Sequence, residues 1–280
     1  MQLLHIKMNT KKILMISAKN KNQPIGVFDS GLGGLTVLKY LLEKFPNQDF
    51  IYLGDLENLP YGNKSKNKII NYGIKCAKFL ESKHVQSIII ACNTASSYAL
   101  KSIQQEVSVP VFDVISPCVY QVAHSQCKKI AILGTEKTIE SNIYSKLIHS
   151  INSKIDIYNK ACPLFVPIVE EGLENSLIAM NVVDFYLSDI KRQKIEKIIL
   201  GCTHYPILLD SLNKYFDNSV QILHSGPVIA NNLEPKMPPN NQGHSKQKVS
   251  YYVTDLPQRF QKFGNKFLDC DINKVELVEL

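Results

Sequence analysis

The stretch Ser87-Ile-Ile-Ile-Ala-Cys92-Asn-Thr94 has a near copy later in the chain, Lys197-Ile-Ile-Leu-Gly-Cys202-Thr-His204. In each copy a short aliphatic run is followed by one small residue, a cysteine and two polar side chains. Such a run is typical of a strand buried on both faces of a parallel sheet. Ligands of open α/β sheets collect at the carboxyl ends of the strands. The repeat therefore predicts two equivalent cysteines, Cys92 and Cys202, at two equivalent sites.

Packing is the competing interpretation of these two cysteines. Free cysteine is among the most buried residue types and often acts in a core as a small hydrophobic side chain. That interpretation suits a single cysteine well. It suits a matched pair less well, because each member is followed by polar residues, Asn93-Thr94 in one case and Thr203-His204 in the other.

Outside the repeat, aliphatic runs alternate with amphipathic stretches of ten to fifteen residues, which predicts βαβ units and mostly parallel sheets. The predicted strands are 25–28, 50–53, 88–91, 109–112, 130–133, 155–158, 198–201 and 220–223. This number of strands exceeds one small sheet. We therefore expect an α/β protein with two pseudo-symmetric doubly wound domains and the active site in the cleft between them.

The expected division places residues 24–115 and 225–280 in a first α/β domain and residues 116–224 in a second. Residues 1–23 form a basic N-terminal extension that we expect to be disordered. The polar stretch 233–250, with three prolines and a glycine, is expected to be a surface insertion.

Composition excludes several classes of protein. The formal charge is +7, but five lysines lie in the first 28 residues, which contain no acid, so the rest of the chain is close to neutral and nucleic-acid binding is not expected. The seven cysteines form no Cys-x-x-Cys pair, which argues against a zinc ribbon or a disulfide framework. No apolar run approaches the length of a membrane span. We expect a cytoplasmic protein with reduced thiols and no membrane partner.

The motif Asp29-Ser30-Gly31-Leu-Gly33-Gly34 follows a predicted strand and precedes a predicted helix, so its backbone N–H groups can bind an anion. It lacks the spacing of a dinucleotide or P-loop motif, which favours a carboxylate as the ligand. An acid such as Asp29 is costly there unless it meets a cation or a proton-transfer partner. A substrate with both a carboxylate and an ammonium group explains it, and a helix N-cap is the alternative.

Cysteine chemistry requires a thiolate, and a helix N-terminus or a nearby cation lowers the pKa of a thiol. Both cysteines precede predicted helices. Two like groups on opposite walls of a cleft suit an inverting proton transfer, in which one takes a proton from carbon and the other delivers one to the opposite face. His204 is ambiguous, because a lone histidine often only satisfies a local hydrogen bond.

These residues resemble the glutamate racemases of the aspartate/glutamate racemase superfamily, over roughly residues 24–280. Six segments carry the resemblance in order: Ile25-Gly-Val-Phe-Asp-Ser-Gly-Leu-Gly-Gly-Leu-Thr-Val37; Tyr52-Leu-Gly-Asp55 with Pro60-Tyr-Gly62; Ala91-Cys-Asn-Thr-Ala95; Gly134-Thr135 with Thr138; Cys162-Pro-Leu-Phe-Val-Pro167; and Gly201-Cys-Thr-His-Tyr-Pro206. His224-Ser-Gly departs from the common Asp-Ser-Gly, and Asp113-Val-Ile departs from a common Gly-Val-Ile.

The resemblance implies reversible conversion of L-glutamate to D-glutamate for peptidoglycan synthesis, with glutamate as the small-molecule partner and without pyridoxal phosphate, another cofactor or a metal. It implies that Cys92 deprotonates D-glutamate and Cys202 deprotonates L-glutamate, that Asp29 and His204 assist their respective thiols, and that Asp55 and Glu170 lie near the site. The implied substrate-binding residues are Asp29, Ser30, Tyr61, Gly62, Asn93, Thr94, Thr135, Thr138, Thr203 and His204. A homodimer is left open.

Three alternatives stay open from the sequence. The first is a racemase for aspartate or another acid, which would keep both cysteines. The second is a one-cysteine enzyme of acyl transfer or decarboxylation, and the third is a non-catalytic two-domain binding protein. The matched second cysteine argues against the last two.

Overall fold

The computed structural model describes residues 23–236, 247–268 and 271–280. The basic extension lies outside these ranges except for Gln23, whose carbonyl oxygen accepts hydrogen bonds from Gln48 and Gln86. Residues 237–246 of the expected insertion also lie outside them. The last strand but one begins at Val249, so the end of the stretch predicted as an insertion belongs to a sheet.

The first sheet has the strand order β10-β9-β2-β1-β3-β4, and all its described pairings are parallel. Its strands are β1 (Ile25–Asp29), β2 (Phe50–Gly54), β3 (Ser87–Ile90), β4 (Val111–Asp113), β9 (Val249–Val253) and β10 (Val275–Leu277). The helices α1 (Leu35–Lys44), α10 (Ser225–Leu233) and α11 (Pro257–Leu268) pack on one face, and α2 (Lys66–Ser82) and α3 (Asn93–Glu106) pack on the other.

The second sheet has the order β6-β5-β7-β8, again with parallel pairings. Its strands are β5 (Lys129–Gly134), β6 (Asp156–Ala161), β7 (Lys197–Gly201) and β8 (Gln221–His224). Helices α7 (Phe165–Glu170), α8 (Leu177–Arg192) and α9 (Leu209–Tyr215) cover one face, while α4 (Ile115–Ala123) and α6 (Ile143–Ile151) cover the other; α5 (Glu136–Ser141) follows β5. Helices on both faces of two parallel sheets confirm the predicted fold class.

The aliphatic runs of the repeat are strands buried on both faces, as predicted. In β3, Ile89 enters the core beneath α1 while Ile88 and Ile90 enter the core beneath α2 and α3. In β7, Ile198 and Leu200 face one core and Ile199 faces the other. Each buried isoleucine or leucine contributes about 1.5–3 kcal/mol of transfer free energy, which holds the carboxyl ends of these strands in place.

Strands β1–β4, β9 and β10 form one sheet and strands β5–β8 form the other. The strands of each sheet lie within one of the two expected domains. The boundaries at residues 115–116 and 224–225 stay a prediction. Within the described part of the chain, no helix has both the length and the apolar content needed to cross a membrane.

Candidate active site

A cavity of about 30 Å³ lies where the carboxyl ends of the two sheets meet. The segments that follow β1, β3, β5 and β7 all reach it. Of the residues predicted for the site, those that line the cavity are Ser30, Tyr61, Gly62, Cys92, Asn93, Thr94, Thr135, Glu170, Cys202, Thr203 and His204. Asp29, Asp55 and Thr138 do not line it, and each contacts it through another residue.

Cys92 forms the wall contributed by the first sheet. It is the N-cap of α3, where its Sγ accepts a hydrogen bond from the Ala95 N–H at 3.4 Å. Its thiol donates to Ser30 Oγ, also at 3.4 Å. Burial and the nearby Asp29 carboxylate raise the pKa of Cys92 to about 12, although the bonds to Ser30 and Ala95 oppose the shift. The helix is where the sequence predicts it, but it does not leave this thiol with a lowered pKa.

Cys202 forms the opposing wall and has different neighbours. A short 3₁₀ helix, Tyr205–Leu208, follows it and precedes α9. The Cys202 Sγ lies 4.0 Å from His204 Nδ1, and His204 Nε2 lies 3.0 Å from Glu170 Oε1. The two cysteines are therefore equivalent in position but not in their surroundings.

The imidazole of His204 is held in its charged form by these neighbours. Burial by itself disfavours the charge, but the hydrogen bonds and charges of Cys202 and Glu170 outweigh it and raise the pKa of His204 to about 10. Burial likewise works against a charged Glu170, but His204 and Arg259 lower the pKa of that carboxyl. The charged imidazole therefore lies between Cys202 on one side and the Glu170 carboxylate on the other.

Asp29 lies behind the cavity and connects the two walls. Its carboxylate accepts hydrogen bonds from the Gly31 N–H at 3.0 Å and from Thr203 Oγ1 at 3.2 Å. Burial raises the pKa of Asp29, and the charge of His204 opposes that shift. The alternative role as a helix N-cap is wrong, because Gly34 occupies that position at α1.

Three threonine hydroxyls from both sides meet at one end of the cavity. Thr94 Oγ1 is 2.9 Å from Thr135 Oγ1 and 3.2 Å from Thr138 Oγ1, and the latter two are 3.0 Å apart. Each hydroxyl carries one proton that can turn toward a ligand. This arrangement can donate hydrogen bonds to a carboxylate, with Thr138 supporting the other two from behind.

Asp55 acts through Tyr61 and not in the cavity itself. It is fully buried and accepts hydrogen bonds from Tyr61 Oη at 2.6 Å, Thr254 Oγ1 at 2.9 Å and Asn58 Nδ2 at 3.0 Å. This carboxylate holds the Pro60-Tyr61-Gly62 turn against the first sheet. The turn is thereby fixed where it lines the cavity.

Two glycines permit the close approach of the two sides. A Cβ on Gly62 would lie 2.9 Å from Thr135 Cβ. A Cβ on Gly33 would overlap the side chains of Thr203 and His204. The helix α1 also reaches across, because Thr36 Oγ1 donates to the Thr203 carbonyl at 2.8 Å.

Sequence reasoning missed several residues of the site. Gly31, Leu59, Pro60 and Val166 line the cavity; three of them fall inside the quoted motifs, whereas Leu59 has no signal of its own. Tyr144 was also missed. Its hydroxyl donates to Asn93 Oδ1 at 2.7 Å and thereby fixes an amide of the opposite wall.

Within residues 23–236, 247–268 and 271–280, no group of three or more His, Cys, Asp or Glu side chains is arranged to hold a metal ion.

Comparisons with known proteins agree with this architecture. The family model described as Asp/Glu/Hydantoin racemase matches residues 37–233. The chain is 42% identical over 260 residues to a glutamate racemase of Sulfurihydrogenibium sp., covering 92% of this chain and 98% of the relative. It is 45% identical over 238 residues to that of Aquifex pyrophilus, covering 85% of this chain and 91% of the relative.

Among solved structures, the chain is similar to a glutamate racemase of Francisella tularensis in complex with D-glutamate. The TM-score is 0.85 and the sequence identity is 39%, covering 92% of this chain and 98% of that one. The likeness therefore extends over nearly the whole length of both proteins.

Proposed function

This chain belongs to the Asp/Glu/hydantoin racemase family and to the glutamate racemases within it, and we propose that it interconverts L-glutamate and D-glutamate by a two-base proton transfer. The observation that carries the mechanism is the pair of thiols on one cavity. Cys92 follows β3 of the first sheet and Cys202 follows β7 of the second. A carbon held between them can lose a proton to one and gain a proton from the other.

In the proposed reaction, one cysteine enters as the thiolate and the other as the thiol. The thiolate sulfur takes the α-proton, and the electron pair of the broken C–H bond remains on the substrate as a carbanion delocalised into its carboxylate. The opposing thiol then gives its proton to the other face of the carbon and becomes the thiolate. Atoms and charge balance within the two side chains and the substrate, so the scheme invokes no pyridoxal phosphate and no metal.

The surroundings of the cysteines favour one starting form. The raised pKa of Cys92 keeps it as the thiol at neutral pH, and Cys202 is the cysteine that has the imidazole of His204 beside it. We propose that the free enzyme deprotonates with Cys202, which is the L-glutamate half-reaction by the family resemblance. Conversion of D-glutamate uses the form in which the proton has moved to Cys202.

The carbanion needs stabilisation, because an α-proton of an amino acid is a very weak acid. Hydrogen bonds that strengthen as the carboxylate gains charge lower this barrier in a site that excludes water. The hydroxyls of Thr94, Thr135 and Ser30 and the amide of Asn93 are the polar groups in place to provide them. We assign substrate binding to these residues together with Tyr61, Gly62, Thr203 and His204.

The test is to incubate the protein with L-glutamate in deuterated water without added pyridoxal phosphate. We expect deuterium to enter the α-position while optical activity decays to zero. Cys92→Ala and Cys202→Ala should each abolish racemisation, whereas Cys127→Ala, which changes a buried cysteine away from the cavity, should retain it. Near-normal turnover by either site variant would contradict the two-base scheme.

The same assay with L-aspartate measures substrate choice. We expect a much slower reaction, because a side chain one methylene shorter cannot place both carboxylates in the same contacts. A faster reaction with aspartate would reassign the enzyme within the same family.

We propose that the enzyme works in the cytoplasm, where it supplies D-glutamate for peptidoglycan synthesis. The six cysteines within the described residues are all free, which suits a reducing compartment.

We propose a homodimer as the assembly. The support is an apolar surface on and before α8, where the side chains of Leu177 and Phe185 are 83% and 72% exposed and Ile178 and Leu173 accompany them. Monomeric proteins rarely leave such groups together in water. Sedimentation equilibrium measures the mass, and Phe185→Glu should shift a dimer toward monomer.

A further inference from the structure

The C-terminal helix α11 lies across the junction of the two halves of the molecule. Phe263, in its middle, packs against the core beneath the first sheet and also against the core of the second. On either side of it, Arg259 pairs with Glu170 and Lys266 pairs with Glu174. A helix that folds with the first sheet is therefore tied to the second by one apolar contact and two ion pairs.

One of these ion pairs continues into the cavity. Arg259 lies 3.2 Å from Glu170 Oε2, while the other oxygen of the same carboxylate, Oε1, lies 3.0 Å from His204 Nε2. His204 Nδ1 in turn faces Cys202 Sγ at 4.0 Å. Arg259 is thus the outermost member of a chain of four side chains that ends at the thiol of one wall.

The two oxygens of Glu170 give Arg259 a defined role. A carboxylate that accepts from one side only can rotate about its last torsion, because that torsion is broad. A second donor on the other oxygen fixes the plane of the group. With Arg259 in place, Oε1 is directed at the imidazole, and the ring is held with Nδ1 toward Cys202.

We propose that Arg259 is a positioning residue for proton transfer at Cys202, acting by orienting Glu170 and through it His204. This inference rests on the proposed racemase function. Arg259 is remote from Cys92, whose partners are Ser30 and Ala95. The effect is therefore confined to one of the two half-reactions, and it couples docking of α11 to that half-reaction.

A one-sided effect needs a suitable measurement. L- and D-glutamate are enantiomers with an equilibrium constant of one, so kcat/KM must stay equal in the two directions in any variant. Deuterium isotope effects on kcat/KM are not bound by this constraint. They report, for each direction, how far the transfer from the α-carbon limits the rate.

The test compares Arg259→Met with the unchanged protein, using L- and D-glutamate deuterated at the α-carbon. We expect kcat/KM to fall by up to about fivefold, which is the upper limit for an ion pair partly open to solvent. The isotope effect should rise for deuterated L-glutamate, since abstraction by Cys202 becomes more limiting. It should fall for deuterated D-glutamate, since delivery by Cys202 then limits the rate.

The matched control is Lys262→Met. Lys262 lies on the same helix as Arg259, and both residues line a second cavity together with Glu170 and Glu171. The control therefore removes a neighbouring cation and leaves Arg259 in place. It should leave both isotope effects unchanged. Arg259→Lys keeps the charge without the planar fork, and should show a smaller shift in the same directions. If Arg259→Met does not fold, Arg259→Lys is the variant that tests the proposal.

Equal isotope effects before and after substitution, with only a lower melting temperature, would overturn the proposal and leave Arg259 a purely structural residue. The same shift in Lys262→Met would overturn it as well. Absence of racemisation by the unchanged protein would instead refute the proposed function, so the two failures are distinguishable.

Discussion

Some side chains behind the cavity fix the position of the residues that line it, and Asp55 is the clearest case. Its carboxylate is fully buried and is surrounded by three side-chain donors, from Tyr61, Asn58 and Thr254. A buried carboxylate is tolerated because these donors replace water. The family resemblance implies that Asp55 lies near the site, and the structure gives it a supporting position behind Tyr61.

Asp55→Ala should therefore weaken both the fold and substrate binding. Loss of the acceptor leaves the buried hydroxyls of Tyr61 and Thr254 and the half-buried amide of Asn58 without this partner, which predicts a loss of about 2 kcal/mol or more in the free energy of unfolding, together with a higher KM for glutamate. Urea unfolding and initial rates measure the two effects. Tyr61→Phe keeps the ring and removes one bond, so it should cost about 1 kcal/mol; a larger loss than in Asp55→Ala would contradict this account.

His224 predicts a dependence of stability on pH. It is buried, its Nδ1 has no hydrogen-bond partner among the described residues, and its ring lies edge-on to Tyr40. Burial lowers the pKa of His224 to about 4 from an ordinary value of 6.5. Above pH 6.5 the residue is neutral in both states. As pH falls from 6.5 toward 4, only the unfolded chain gains the proton, so the native state loses stability.

At pH 4.5 this difference amounts to about 2–3 kcal/mol relative to pH 7. Chemical unfolding of the protein and of His224→Gln at both pH values measures it. The variant should lose less stability on acidification by that amount, because glutamine does not titrate. Parallel losses in the two proteins would show that other groups carry the pH dependence.

At the scale of elements, strands β1 to β8 were predictable from the sequence, and several of the helices were not. The runs at Ile25, Ile88 and Ile198 are apolar throughout, and the structure buries both faces of each strand. The helices α4, α7 and α10 have Pro117, Pro167 and Pro227 at their third positions. Proline is unfavourable in the interior of a helix, yet the first turn tolerates it because its N–H groups have no intrahelical partner.

Asp113 shows how one of these helices begins. Its Oδ1 accepts from the N–H groups of Ile115 and Ser116, both at 2.8 Å, and its Oδ2 accepts from the Ser116 hydroxyl at 2.7 Å. Asp113 precedes the N-cap residue Val114, and Asp113→Ala should destabilise the protein by about 1–2 kcal/mol, because the first N–H groups of the helix lose their side-chain acceptor. Thermal unfolding measures this, with Asp113→Asn as the milder control. An unchanged melting temperature would show that water replaces the Asp113 carboxylate as acceptor.

At the scale of the molecule, the site exists only where the two sheets meet, and this limits what the sequence can predict. The repeat indicated Cys92 and Cys202 because each follows a recognisable strand. Tyr144 contacts Asn93 across 51 positions, and Arg259 contacts Glu170 across 89. Contacts between distant parts of a chain leave no periodic pattern in either segment.

Gly62 tests how closely the two sides must approach. Its missing side chain leaves room for Thr135, and a Cβ would come within 2.9 Å of Thr135 Cβ and 3.1 Å of its Cγ2. Gly62→Ala should hold the sides apart, raise KM and lower kcat, while each sheet keeps its own core. Initial rates measure the change in KM and kcat, and urea unfolding measures whether the fold keeps its stability. Unchanged kinetics would mean that the turn can shift without affecting the site.

The small volume of the cavity bears on the fate of the reaction intermediate. A cavity of about 30 Å³ has room for about two or three water molecules, at ~10–15 Å³ for each, and a molecule of glutamate is larger than that. Substrate entry therefore requires the two walls of the cavity to move apart. When the walls close again, they enclose the carbanion with two sulfur atoms and almost no solvent. The α-hydrogen of each product molecule is then drawn from the opposing thiol, and bulk water reaches it only by exchanging with that thiol between turnovers.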